Sequence, residues 1–420
     1  MNPFEEKGIS LEDSIKDWCE LYPKQYNKYE VNPYTKTRII LMNGTEFEAN
    51  WFSHQFSRNC NNNDLRRAIA FTRRIEKQQQ MKIAHLKPIS ENILETTISY
   101  EQLAVDLTAR LAKNEPDPNV KAALDFALLE DFDHLYRYAD LLDLEYGIAA
   151  DKLVGRYTEI MPGRPTISHH RHPYDEIKNY INNKTADPIT KLNVNIITAA
   201  EQQTMNFYMN VGQYYTSELG RRLYQEIGLV EEEHVSQYGS LIDPNGTWLE
   251  NLLNHEYTEC YLYYSMYLDE TDEYIKKIWE RFFLEEVTHL HIACELLQKY
   301  EGKSWQQIIP NGTFPTPLTL GPNIEYVRNI LCNTSSYTAM RESYIPVCEA
   351  PKDFDFFTYQ NIVNKDVCTV PSHIVINKYL KCNECDFRFE VAPNPVETLR
   401  NRKCDNVCVG REPLCGENCC

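Results

Sequence analysis

The sequence lacks any excess of positive charge. Its 61 acidic side chains outnumber 43 basic ones, for a formal net charge of −18. A nucleic-acid surface needs a basic footprint to neutralise phosphates, so that class of partner is excluded. The same balance suits a protein that handles cations. Also lacking is an apolar run near the roughly 18–20 residues of a membrane span, so no membrane partner is expected. The start, MNPFEEKGIS, has no basic segment followed by an apolar one. No secretory signal is visible there, and a cytoplasmic location is the expectation. Apolar residues at 42% and charged residues at 25% exclude wholesale disorder, and 420 residues leave room for two or three domains.

The 14 cysteines are unevenly placed: Cys19, Cys60, Cys260 and Cys294 are scattered, and the other ten lie between Cys332 and Cys420. That skew implies a separate Cys-rich C-terminal unit over 325–420, with β-leaning stretches such as HIVINKYLKC and FRFEVA. Residues 1–88 read as a partly helical N-terminal extension. WFSHQFSRNCNNN looks irregular, because consecutive Asn favour turns. The stretch from Asp64 to about Leu86 reads as an exposed helix with no evident chemistry. From 89 to 310 the pattern is helical, broken at Asn114–Pro118, over 149–190, near Thr216-Ser217, at Asp243–Gly246 and at Asp269–Thr271. This gives three helical hairpins. The long 149–190 connection holds one short helix, DEIKNYI, and carries His169, His170 and His172. These three are either ligands or a solvent-exposed loop cluster.

Only three histidines have an acid three residues earlier: Asp131–His134, Glu231–His234 and Glu286–His289. Thirty residues before each acid stands a glutamate: Glu101, Glu201 and Glu256. With acids at about one position in seven, chance gives three matches at one offset at the level of about a per cent. An acid and a His at i and i+3 share one helix face and can address one ion. The midpoints, near residues 116, 216 and 271, all fall on turn signals. Each lone Glu and its acid–His pair therefore stand at the same height on the two arms of a hairpin, near the middle of a bundle roughly 40–45 Å long. Facing carboxylates and imidazoles at mid-bundle are costly to bury, and a pair of divalent cations offsets that cost. One Glu from each of two helices and Glu-x-x-His from each of the other two is the di-iron or di-manganese pattern of ferritin-like bundles.

On these residues the sequence resembles the ferritin-like di-iron carboxylate family, and its rubrerythrin branch in particular. VEEEHVSQY looks like the metal helix of that branch and AAEQQTMNFY like its partner helix. The resemblance covers residues 90–300. Asp131 departs from the usual Glu, and three motif-bearing hairpins stand where one site needs two. The expected fold is mainly α: a ferritin-like four-helix bundle extended by a third hairpin, plus the Cys-rich unit. The turn Gly239–Thr247 is too short for a crossover, whereas 149–190 can run the length of a bundle. The first two hairpins are therefore expected to form the site, with Glu101, Asp131, His134, Glu201, Glu231 and His234 as ligands. Glu256, Glu286 and His289 of the third hairpin either replace the second set or hold a further metal.

The resemblance implies two Fe or Mn ions and an oxidoreductase acting on O₂ or peroxide, fed by an electron donor that the sequence does not name. Iron oxidation or storage, and a structural protein with a degenerate bundle, are the alternatives. A homo-oligomer is compatible with either. Tyr100, Tyr136, Tyr138, Tyr208, Tyr214 and Tyr215 lie near the expected site, as hydrogen-bond or electron donors or as packing. In the tail, Cys382-x-x-Cys385 and Cys404-x-x-x-Cys408 have spacing that suits a tetrahedral Zn or Fe. KCNECDFRFE is similar to a zinc-ribbon or rubredoxin half. Disulfides are the structural alternative.

Overall fold

In the computed structural model the described residues are 1–384, 386 and 389–400. They are mainly helical. The long helices are α1 (Pro33–Asn59), α2 (Asn63–Ala84), α3 (Ile93–Asn114), α4 (Pro118–Tyr146), α5 (Pro188–Gly212), α6 (Glu218–Ser240), α7 (Trp248–Asp269) and α8 (Glu273–Glu301). Shorter elements follow: α9 (Ile324–Thr334), an antiparallel hairpin of β1 (Tyr337–Met340) and β2 (Ser343–Pro346), α10 (Asp355–Val363) and α11 (Pro371–Asn383). No described helix is long and apolar enough to cross a membrane.

Local chemistry sets the helix ends. Asn92 and Glu95 form a reciprocal capping box at the start of α3, and Thr247 and Glu250 do the same for α7. Asp117 caps α4 by accepting from the backbone N–H of Asn119 and Val120, with Pro118 in the first turn where its missing N–H costs nothing. Gly147 and Gly302 close α4 and α8 in the left-handed region, at φ of 62° and 68°. The turns expected near 116, 216 and 271 lie between α3 and α4, α5 and α6, and α7 and α8.

The chain forms two compact units, each built from separated stretches of sequence. Unit 1 comprises Met1–Glu91, Ile181–Gln203 and Ile242–Leu320; unit 2 comprises Asn92–Tyr180, Thr204–Leu241 and the described residues from Gly321 onward. Helix α5 gives its first turns to unit 1 and its last turns to unit 2. In unit 1 the hairpins α1/α2 and α7/α8 pack together, α1 on α7 and α2 on α8. In unit 2 the α3/α4 hairpin carries α6 against α4, while α11 packs on both α4 and α6 and α9 on both α3 and α4.

Several expectations are corrected. Trp51–Asn59 belongs to α1, and only the short stretch from Cys60 to Asn62 turns. Helix α2 is half-buried in unit 1, with Ile75, Glu76 and Gln79 in its interior. The DEIKNYI stretch is not helical beyond a single turn at Pro173–Asp175. HIVINKYLKC lies in helix α11, which buries His373, Val375, Ile376, Tyr379 and Leu380. Its β-branched residues face a helical neighbourhood, and that packing outweighs their weak strand preference.

Helix α9 is docked by apolar burial. Val327, Ile330 and Leu331 join Val105, Ala109, Leu128, Leu129, Phe132 and Met161 in one cluster. Leu331 is fully buried there. Leu331→Ala is expected to lower the unfolding free energy by about 2–5 kcal/mol, read by denaturant titration. A change below about 0.5 kcal/mol would show that α9 is not part of this core.

Candidate metal centre

The two acid–His pairs of unit 2 stand on neighbouring helices, Asp131 and His134 on α4 and Glu231 and His234 on α6. All four side chains are fully buried. They cross-bond: His134 Nδ1 lies 3.0 Å from Glu231 Oε1, and His234 Nδ1 lies 3.3 Å from Asp131 Oδ1 and 3.5 Å from Glu231 Oε2. Asp131, Glu231 and His234 place ligand atoms within 4.8 Å of one another, and so do Glu101, His134 and Glu231. Glu101 on α3 accepts a hydrogen bond from the Tyr208 hydroxyl of α5. Glu201 is buried and lies two turns before Tyr208 on the same helix, on the same face by the i, i+7 register.

A surrounding polar layer fixes this set. Glu130 accepts from His234 Nε2 at 2.8 Å and from Arg171 Nη1 at 2.7 Å. Burial alone would raise the Glu130 carboxyl, but Arg171, the His234 hydrogen bond and Arg164 hold it well below the usual carboxylate range. A carboxylate on Nε2 leaves Nδ1 of His234 as the coordinating nitrogen, which is how ligand imidazoles are oriented. Burial, with the nearby His169, Arg137 and His234, holds His134 well below its ordinary pKa. It is therefore the neutral imidazole that a metal requires. His134 Nε2 is buried without a hydrogen-bond partner. Hard carboxylates, neutral imidazole and an unpartnered ring nitrogen are a donor set that could hold a metal ion.

Arg137 is engaged elsewhere. It donates to Asp133 at 2.6 and 2.9 Å and to Ser372 Oγ at 2.8 Å. Asp133 also accepts from the Gly163 backbone N–H at 2.9 Å. A Cβ at Gly163 would stand 2.9 Å from the Leu129 carbonyl, so only glycine lets the connection reach α4 there.

The histidines of the connection are not a solvent-exposed cluster. His169 is buried with Nε2 3.2 Å from Asp133, and His170 is buried between Glu226 at 3.7 Å and Glu233 at 3.5 Å. Burial opposes charge on His170, but those two carboxylates raise its pKa to about 9. Only His172 is partly open. Of the tyrosines, Tyr208 and Tyr138 are fully buried with ring centroids 5.2 Å apart, Tyr136 donates to Asp386 at 2.9 Å, and Tyr214 is exposed. Tyr100 stacks on Phe207, and Tyr215 donates to Glu145. Cys382 is exposed in the last turn of α11. Cys385, Cys404 and Cys408 lie outside the described residues.

Glu256, Glu286 and His289 come together in unit 1, and a fourth hairpin meets them. Glu46 on α1 and Glu76 on α2 are again 30 residues apart, with Gln79 where the other hairpins have His. A search that requires His passes over this hairpin; the Glu spacing alone marks it. Comparison with models of protein families, with curated proteins and with solved structures finds no match for this chain.

Burial pushes Glu76 up to about 7, with Glu286 adding to it and His289 and Arg73 opposing. Burial and neighbouring carboxylates also raise Glu46, Glu256 and Glu259 well above the usual range. A carboxyl raised in the fold stabilises fully below its unfolded pKa, and that contribution is lost as pH rises through the folded one. In chelator-treated protein, the stability of Glu76→Gln relative to its parent should therefore increase between about pH 4.5 and 7. Equal differences across that window, read by thermal unfolding, would contradict this placement of Glu76.

Proposed function

We propose that this chain is a ferritin-like, rubrerythrin-like dinuclear-metal oxidoreductase acting on O₂ or peroxide, with its reactive centre in unit 2. The observation that carries this reading is the cross-bonding of two acid–His pairs from α4 and α6, with Glu130 holding His234 by its far nitrogen. Asp131, His134, Glu231 and His234 would hold two Fe or Mn ions, together with Glu101; Glu201 lies on the stretch of α5 that belongs to unit 1. Bound redox metals would supply the electrons that O₂ or peroxide needs.

The chain's own residues do the rest. Asp131 and Glu231 each stand beside an imidazole from the opposite helix and would hold the ions there. Asp131 is one methylene shorter than Glu. Glu130 with Arg171 keeps the His234 ring in one orientation. Tyr208 holds a proton at Glu101, because burial and the Glu101 charge push its own pKa far up. Its ring sits with Tyr138 and Tyr224 at centroid distances of 5.2 and 5.7 Å, a packed aromatic wall that excludes water from this side.

Iron handling is the second reading, favoured by the net charge of −18. Purified protein should contain at least two Fe or Mn per chain. Glu231→Ala combined with His234→Ala should remove about two of them and abolish peroxide-dependent oxidation. Turnover that persists in a folded double variant would move the reaction out of unit 2. Fe²⁺ uptake far above the ligand capacity would favour storage.

A further inference from the structure

Unit 1 contains a second buried donor set that the reading of unit 2 does not use. Its ring of residues comes from the four helices of the hairpins α1/α2 and α7/α8: Glu46 (α1), Glu76 and Gln79 (α2), Glu256 and Glu259 (α7), and Glu286 and His289 (α8). Each is buried. Glu76, Glu256 and His289 place ligand atoms within 4.8 Å of one another, as do Glu256, Glu259 and Glu286. His289 Nδ1 lies 2.9 Å from Glu286 and 4.0 Å from both Glu76 and Glu256. Several of these atoms have no hydrogen-bond partner: His289 Nε2, Gln79 Oε1, Glu46 Oε2, Glu76 Oε2, Glu256 Oε2 and both oxygens of Glu259. So many unpartnered buried acceptors in one place are costly unless a cation compensates them.

The polar layer of unit 2 recurs in altered form. Tyr263 stands seven residues after Glu256, as Tyr208 stands seven after Glu201, and each donates to the lone Glu of the other hairpin, Glu46 or Glu101. Glu285, beside Glu286, accepts from Gln79 Nε2 at 3.2 Å and is neutralised by Lys16 at 2.7 Å. Glu130 plays the same part toward His234 in unit 2, with Arg171 as its cation.

Two differences set the chemistry apart. Gln79 replaces an imidazole, and Glu259 adds a carboxylate where the register of α5 has Thr204. Oxygen donors thus outnumber nitrogen more heavily than in unit 2. A cavity of 190 Å³, wholly within unit 1, reaches this set at Glu259 and His255. Its lining is mixed, with Glu48, Asn195 and Asp243 beside Phe52, Val194 and Leu262.

We propose that unit 1 holds a second divalent-metal centre, separate from that of unit 2, with Glu76, Glu256, Glu259, Glu286 and His289 as ligands and Glu46 beside them. It takes a hard, oxygen-seeking cation of the Mn²⁺ type, loaded through the cavity at Glu259. Carboxylate-rich sets select such ions, whereas imidazole-richer sets also suit Fe and Zn.

The test is Mn²⁺ titration of the full-length, chelator-treated protein, with free Mn²⁺ read by electron paramagnetic resonance. Glu259→Gln and Glu256→Gln should each weaken one class of sites at least ~10-fold, while His234→Gln weakens only the other class. Thermal unfolding in chelator controls for folding, because isosteric removal of a charge from an acidic cluster should leave the melting temperature equal or higher. Unchanged Mn²⁺ binding in a folded Glu256→Gln, Glu259→Gln protein would overturn the proposal. Gln79→His supplies an independent readout, since a second imidazole should change the visible spectrum of Co²⁺ bound in unit 1. An unchanged Co²⁺ spectrum in a His234→Gln background would overturn it equally.

Discussion

Everything in this chain is arranged around carboxylates that are buried where water cannot solvate them. A buried charge of one sign costs several kcal/mol unless it is paired or bonded. In unit 2 the protein solves part of the problem itself. Arg171 meets Glu130, Arg137 meets Asp133, and His170 stands between Glu226 and Glu233. What remains, Asp131 and Glu231 against two imidazoles and Glu101 against a tyrosine hydroxyl, is a donor set shaped for cations. In unit 1 the remainder is larger, because five carboxylates meet His289, with His255 3.5 Å from Glu259. The capping boxes, the Gly147 and Gly302 ends and the hairpin packing hold the donors at one height in each unit.

The nested order of the four hairpins follows from that constraint. Hairpin α3/α4 and helix α6 carry the buried acid–His pairs and Glu101 of unit 2, and the outer hairpins α1/α2 and α7/α8 carry the cluster of unit 1. The 30-residue step from lone Glu to paired acid occurs in all four. The tyrosine seven residues beyond Glu201 and Glu256 occurs once per unit. These correspondences are what a duplicated two-hairpin unit would leave, with one copy set between the halves of the other. The replacements Gln79 for His and Glu259 for Thr then read as divergence of one centre from the other.

Much of this was legible in the sequence. Asp131–His134 and Glu231–His234 were marked by spacing alone, because a helix turns i and i+3 to one side. The hairpin turns were marked by Asn114–Pro118 and by Asp269–Thr271. The α1/α2 hairpin was not legible from histidine spacing, since Gln79 stands where the other hairpins have His. Glu46 and Glu76 also sit in stretches whose neighbours, Asn43-Gly44 and Gln78–Gln80, look like surface. The burial of His169 and His170 was hidden for a different reason: a Pro- and His-rich connection looks solvated until Asp133, Glu226 and Glu233 are seen to receive it. Helix α11 was misjudged because Ile374, Val375 and Ile376 favour strands locally, while their packing against α4 and α6 is a tertiary fact.

The central claim is that buried carboxylate–imidazole sets in this chain exist to hold metal. Anomalous diffraction from crystals of the purified protein, recorded on both sides of the Fe and Mn absorption edges, tests it most directly. The account predicts peaks of Fe or Mn between α4 and α6, at Asp131, Glu231, His134 and His234, and separate peaks of Mn type among Glu76, Glu256, Glu286 and His289. Fully ordered side chains at both places with no anomalous peak, in protein purified without chelator and supplied with both metals, would contradict it.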